Sequence, residues 1–244
     1  MKKIDKSTKI ALQYHKWLQE DEKPPMKYDS SNNQYYKDVL VNLLCCQGGL
    51  CAYTEYRLID QNIFQQLLKY FDNNGKYYGD KPEADVDIEH FCSEAKKING
   101  WDWGNLFAAY MGINRIKRVR EAEIRNETGE GVKSYLKPDN EDYSPDKYLE
   151  YDYKENIFYP SEILEDDIAE DVANMIYVLG LNWGSIKMWR KNYICPKIEM
   201  FKAGNEEELD QFHTAYEMVK KNLIERSRTK GASNISSQII ANAK

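Results

Sequence analysis

The stretch "DVDIEHFCSEAK" (residues 85–96) gathers four carboxylates, Asp85, Asp87, Glu89 and Glu94, around His90, one of only three histidines in 244 residues. Buried together as scaffolding, so many acids would repel one another. Set around a hard divalent cation and a water, carboxylates of this kind support hydrolytic chemistry. The stretch opens on the pattern of a short strand, with Glu89 and His90 at its end. Its neighbours on either side decide what kind of protein carries that strand.

Upstream, "QYYKDVLVNLLCC" (34–46) places Tyr36, Val39, Leu40, Leu43 and Leu44 at helical spacing, and Gly48-Gly49 stops the helix. "LCAYTEYRLI" (50–59) alternates and predicts another strand. "QNIFQQLLKYF" (61–71) predicts a helix, and the turn-rich "DNNGKYYGDKPEAD" (72–85) leads into the opening stretch. Downstream, Ile113, Ile116 and Val119 share one side of a helix that also carries Arg115, Lys117, Arg118, Arg120 and Arg125. Residues 127–160 are acidic and rich in tyrosine, and "YLEYDYKENIFYP" (148–160) predicts a hairpin. Helices follow over 161–192, broken at "LGLNWGS", and over 206–226. The tail from 228 is weakly patterned and is expected to be flexible.

The expected fold is therefore mostly α within an α+β class, with a small β-containing insertion at about 50–125. The expected organisation is an N-terminal helical region (1–49), a central region (50–126), a C-terminal helical region (127–227) and the tail (228–244).

Composition narrows the function classes. Net charge is −6 and the isoelectric point about 5.3, which argues against a protein coated in nucleic acid by bulk electrostatics but permits a local basic groove. No apolar run is long enough for a transmembrane helix, and the N-terminus lacks the apolar segment of a secretory signal. Five cysteines, an odd number with the adjacent pair Cys45-Cys46, suit a reducing cytoplasm better than a disulfide framework. No CxxC or CxxH pair offers a structural zinc site. Without a GxxxxGK[ST] loop, any ATP hydrolysis linked to this chain would belong to a partner.

Three positions combine into a chemical site. A neutral His90 imidazole can take a proton from water. Glu89 and Asn114 offer a carboxylate and a carboxamide oxygen, half of a hard oxygen shell for Mg²⁺. Asn114 falls near the start of a basic helix, where backbone N–H groups favour a phosphate, with Arg115, Lys117 and Arg118 as candidate nucleic-acid contacts. Taken alone, His90 reads as a capping or surface residue, and the arginines as a solvated helix face. Asp85 and Asp87 read as solvated strand neighbours, His15 and His213 as structural, and Cys45-Cys46 as buried small hydrophobes.

"GGLCAYTE", "DVDIEHF" and "WDWGNLFAAYMGINRIK" together resemble the ββα-metal finger of HNH endonucleases, in the branch of the PtuB-like HNH component of Septu and retron anti-phage systems. That branch has a pattern of CxYCE, EHF, W-x-NL and CxxCNxxK. Cys51, Glu89-His90, Asn105-Leu106, Asn114 and Lys117 match it, and Asn182 and Arg190 match a later segment, so the resemblance spans about 40–192. It implies His90 as general base, Glu89 and Asn114 as ligands of one Mg²⁺ or Mn²⁺, and Asn105 as the residue that pins the His-bearing loop.

It also implies nucleic acid as substrate, DNA favoured, and a companion ATPase of the PtuA type. Thr54, Tyr110 and Ile113 stand where the other zinc-knuckle cysteines belong. No structural zinc is expected, and packing through Tyr53, Tyr110, Ile113 and the pair Trp101/Trp103 is expected to replace it. The alternatives are an inactive finger serving as a binding subunit, and an RNase attacking tRNA.

Overall fold

The computed structural model describes residues 1–20, 33–131 and 133–242, with side chains through 228. The fold is mixed α+β, about 49% helical with two small antiparallel sheets, in keeping with a mostly helical chain. Helices α1 (Leu12–Trp17) and α2 (Tyr36–Cys46) come first. Helix α3 (Gln61–Leu67) starts at Asp60, whose carboxylate accepts the Asn62 N–H at 2.8 Å. Then follow β1 (Val86–His90), α4 (Ser93–Ile98), β2 (Leu106–Tyr110) and α5 (Met111–Thr128). After α6 (Pro145–Tyr148), β3 (Leu149–Asp152) pairs with β4 (Ile157–Pro160), and α7 (Asp166–Val178), α8 (Gly184–Lys202) and α9 (His213–Asn242) end the described chain.

Strands β1 and β2 run antiparallel, from Val86 opposite Tyr110 to His90 opposite Leu106, and α5 begins at the next residue. The pair is buried on both faces. Val86, Ile88, Leu106 and Ala108 join a cluster with Tyr14 and Leu40 from α1 and α2. Phe107 and Ala109 join a second cluster with Ile113 of α5, Met175 of α7 and Ile194 of α8. This double burial explains why "LFAAY" carries no alternation: each face needs an apolar residue, so period two disappears.

The corner before the hairpin is held by side chains. Gly48 and Gly49, both at positive φ (62° and 74°), turn the chain out of α2. Gln47 then lays its buried carboxamide along β2, donating to the Ala108 carbonyl (2.8 Å) and accepting from the Ala108 N–H (2.9 Å). It does the work of a third strand at that residue.

Several expectations need correction. Residues 50–59 form no strand; one isolated bridge, Leu50 to Arg57, brackets a tight turn whose Glu55 has a positive φ of 58°. The buried Glu55 carboxylate accepts from Thr214 N–H (2.9 Å) and its hydroxyl, so a contact 159 residues away stabilises that turn. Trp101 and Trp103 do not pack with Tyr53, Tyr110 and Ile113; Trp101 is buried in the cluster with Tyr14, and Trp103 packs against Tyr14 and His15. Cys45 and Cys46 are half-buried rather than sealed in the core.

The hairpin predicted within 148–160 is present, with its register set by Leu149 opposite Pro160. Helix α9 starts at His213, later than expected, and its backbone stays helical to Asn242. The tail expected to be flexible therefore lies partly on this helix, and at 243–244 outside the described residues.

Candidate functional site

A cavity of about 240 Å³ runs along β1 and is closed by α4 and α5. Its lining includes Asp87, Glu89 and His90 from β1, Ser93 and Lys96 from α4, and Asn114, Arg118 and Glu121 from α5. Four of the expected site residues therefore meet: Glu89, His90, Asn114 and Arg118. The hairpin register puts His90 at the end of β1, and the immediate start of α5 brings Asn114 across from it.

His90 is 4% exposed. Its Nε2 lies 2.7 Å from the Gly100 carbonyl oxygen. A carbonyl can only accept, so Nε2 carries the proton and Nδ1 is the accepting nitrogen of the neutral ring. Burial lowers the imidazole pKa to about 4, partly offset by the Gly100 bond. The ring is neutral at pH 7, though a pKa that low also makes it a weaker base than one poised near 7.

Asn105 does not line this cavity; it acts behind it. Its Oδ1 accepts the Cys92 N–H at 2.7 Å and its Nδ2 donates to the Cys92 carbonyl at 2.9 Å. The Asn105 backbone carbonyl also accepts the Phe91 N–H at 2.9 Å. One side chain thus satisfies both backbone groups of Cys92, two residues beyond His90, and fixes the loop that follows it.

Glu89 is only 4% exposed, and both carboxylate oxygens are engaged. Lys117 Nζ stands 3.0 Å from Oε1, and the Tyr53 hydroxyl donates to Oε2. Burial raises the Glu89 pKa, with Lys117 opposing. Lys117 also reaches Glu121 (2.5 Å) and the His90 carbonyl oxygen (3.0 Å), so its three N–H donors are all used. Burial disfavours its charge, but the two carboxylates outweigh that and hold its pKa above the ordinary value. The expected role of Lys117 as a nucleic-acid contact is corrected by this geometry: at 1% exposed it is an internal cation that ties β1 to α5.

The remaining helix cations differ. Arg115 and Arg118 are exposed, and Arg118 lines the cavity whereas Arg115 lies outside its lining. The Asn114 carboxamide makes no hydrogen bond among the described residues. Asp87, read as a solvated neighbour, accepts from Tyr36 and lies 3.6 Å from Lys81.

One carboxylate and one carboxamide line the cavity, the donor types a hard cation takes, but both Glu89 oxygens are already engaged by Lys117 and Tyr53. Among the described residues no group of three or more His, Cys, Asp or Glu side chains could hold a metal ion. Any cation at Glu89 would share that carboxylate with Lys117. At the positions compared above with a zinc knuckle, Cys51 is buried and its Sγ accepts the Tyr110 N–H at 3.5 Å, while Ile113 is fully buried.

Sequence reasoning missed Tyr53, Ser93 and Glu121. Glu121 was legible as the i+4 acid of Lys117; Tyr53 and Ser93 reach their acids across the fold and left no local signal. No protein-family model matches this chain, and no curated protein matches its sequence.

Proposed function

We propose that this cavity is the active site of a metal-dependent HNH-type endonuclease, hydrolysing phosphodiester bonds of nucleic acid with DNA as the favoured substrate. One observation supports this reading most. A neutral imidazole, anchored by Gly100 and followed by a loop that Asn105 clamps, shares a cavity with an Asn114 carboxamide that has no partner among the described residues. A histidine kept only for packing needs neither the clamp nor the uncommitted amide.

In this reading His90 moves the proton. Nδ1 accepts it from a water as the water oxygen attacks phosphorus and the P–O bond to the leaving group breaks. Asn105 acts as a positioning residue, holding the backbone beyond His90. Arg118, which lines the cavity, carries the phosphate charge. Glu89 and Asn114 would hold Mg²⁺ or Mn²⁺, which supplies charge stabilisation on the phosphoryl oxygens and the leaving oxygen. The resemblance to the PtuB-like branch adds a cytoplasmic anti-phage role and control by an ATPase partner. Among the described residues no helix is long and apolar enough to cross a membrane.

A second reading, an inactive finger that binds rather than cuts, is favoured by one specific observation: Lys117 already neutralises Glu89. Plasmid DNA and total tRNA incubated with the purified chain, alone and with its companion ATPase, in Mg²⁺ or Mn²⁺, separate these readings. The nuclease reading expects metal-dependent cutting that falls about 100-fold or more in Asn114→Ala. Cutting unchanged by that substitution overturns the assignment of Asn114. No cutting by a folded protein under any of these conditions favours the binding subunit, and tRNA cut in preference to DNA makes the enzyme an RNase.

A further inference from the structure

Beside the candidate site lies a larger cavity of about 530 Å³, between α4, α5, α7 and the residues Gly131, Lys133, Ser134, Tyr135 and Lys137. Ser93 and Glu121, joined by a hydrogen bond, line both cavities and form the wall between them. The two spaces therefore adjoin at the residues next to His90 and Asn114.

The chemistry of the larger cavity differs from that of the smaller one. Its floor is apolar: Phe91, Met175, Val178 and Leu179 line it, and the half-buried ring of Tyr135 adds an aromatic side. Its rim is basic. Arg125, Lys133 and Lys137 stand on the rim with Glu94, while Glu121 lies in the wall already paired with Lys117.

Each rim cation is held by an acid, Arg125 by Glu94 (2.8 Å), Lys133 by Glu130 (2.6 Å) and Lys137 by Asp139 (2.6 Å). The pairs of Arg125 and Lys133 are well exposed, and exposed pairs contribute little and re-partner easily. A phosphate, with more charge and more acceptor oxygens, competes well for such cations. An aromatic-and-apolar floor under a cationic rim suits a flat ring carrying a phosphate. The volume lies in the range of small-molecule sites and holds one nucleotide, whereas a base paired within a duplex cannot enter it.

We propose that this cavity receives one unpaired nucleotide of the substrate strand, its base against the half-buried Tyr135 ring over the apolar floor and its phosphate on the rim cations, beside the phosphodiester addressed by His90. The inference rests on the nuclease reading and makes it specific: the substrate is single-stranded, looped or frayed at the point of cutting.

The test measures binding, by fluorescence anisotropy of labelled oligonucleotides on the full chain, separately from cleavage. A ten-nucleotide single strand is compared with its own duplex and, as competitor, with a free mononucleotide. The variants are Ser134→Trp, which blocks the exposed mouth without entering the core, and Arg125→Glu with Lys133→Glu on the rim. The expected result is a single strand bound about tenfold or more tighter than the duplex, a preference lost in Ser134→Trp, and affinity reduced about tenfold by the rim reversal.

Equal binding of strand and duplex, unaffected by Ser134→Trp, overturns the proposal. Binding of the mononucleotide but of no oligonucleotide also overturns it, in favour of a free effector. If the pocket variants change nothing while cutting still needs Asn114, the pocket proposal alone has failed. If the strand preference holds but no condition gives cutting, the nuclease reading alone has failed.

Discussion

The two ends of the β1–β2 hairpin carry the same strands into different chemistry. At one end, where Val86 faces Tyr110, lies a packed corner: Cys51 caps a backbone N–H and Ile113 is sealed in the core. At the other end, where His90 faces Leu106, polar side chains persist in burial, and each of His90, Asn105 and Glu89 has a named partner. Burying a polar group is tolerated only with such partners. The apolar end needs only shape to hold the fold. The polar end maintains a set of hydrogen bonds among buried side chains, and it is there that the proposed site lies.

The largest expected effect breaks the polar end. Lys117→Met leaves Glu89 and Glu121 buried without their ammonium, and should destabilise the protein by about 3–5 kcal/mol in urea unfolding. Adding Glu89→Gln and Glu121→Gln should recover part of the loss; no loss in the single variant would mean the ion cluster is not buried in solution.

The packed end predicts a smaller effect. Ile113→Ala should lose about 2–4 kcal/mol by leaving a cavity, with no response to added zinc. A zinc-dependent rise in melting temperature would show that the corner still binds metal.

Asn105→Ala sits between the two ends. It strands the Cys92 N–H and leaves the Cys92 carbonyl only its Lys96 N–H partner, for about 1–3 kcal/mol. It should also slow cutting more than a stability-matched substitution elsewhere does. Equal rates at matched stability would make Asn105 purely structural.

A pH effect comes from the N-terminal segment that packs beside the hairpin. Lys6 Nζ sits over the Phe107 ring, 3.6 Å from its centroid, and 2.9 Å from Asp139. Burial lowers its pKa from 10.5 to about 8, Asp139 opposing. Between pH 8 and 10.5 the unfolded chain keeps a proton that the folded chain has lost, so stability gains a contribution as pH rises through that window. The shift sets its ceiling at about 3 kcal/mol. Lys6→Met should remove this contribution; an unchanged pH profile would show that Lys6 is solvated.

The legible parts of this molecule were those with local patterns. The spacing of Leu40, Leu43 and Leu44 marked α2, the helical pattern within 161–192 marked α7, and the tyrosine-rich stretch 148–160 marked the hairpin. The illegible parts depend on distant partners. Residues 106–110 lost their alternation to burial on both faces. Residues 50–59 kept an alternation but fold as a turn, because Glu55 reaches Thr214. In the site, the sequence brought His90, Glu89 and Asn114 together by spacing, while Lys117 read as a surface cation. A basic residue on a basic helix looks the same whether it points to solvent or to two buried carboxylates.

The most direct test of the central claim asks whether His90 moves a proton. Phosphodiester cleavage is measured for wild type and His90→Ala, with urea unfolding to verify the fold and with imidazole added to the variant. The account predicts a loss of about 100-fold or more in His90→Ala, partly restored by imidazole, in a variant that stays folded although the Gly100 carbonyl has lost its partner. Cleavage by folded His90→Ala at the wild-type rate would contradict it.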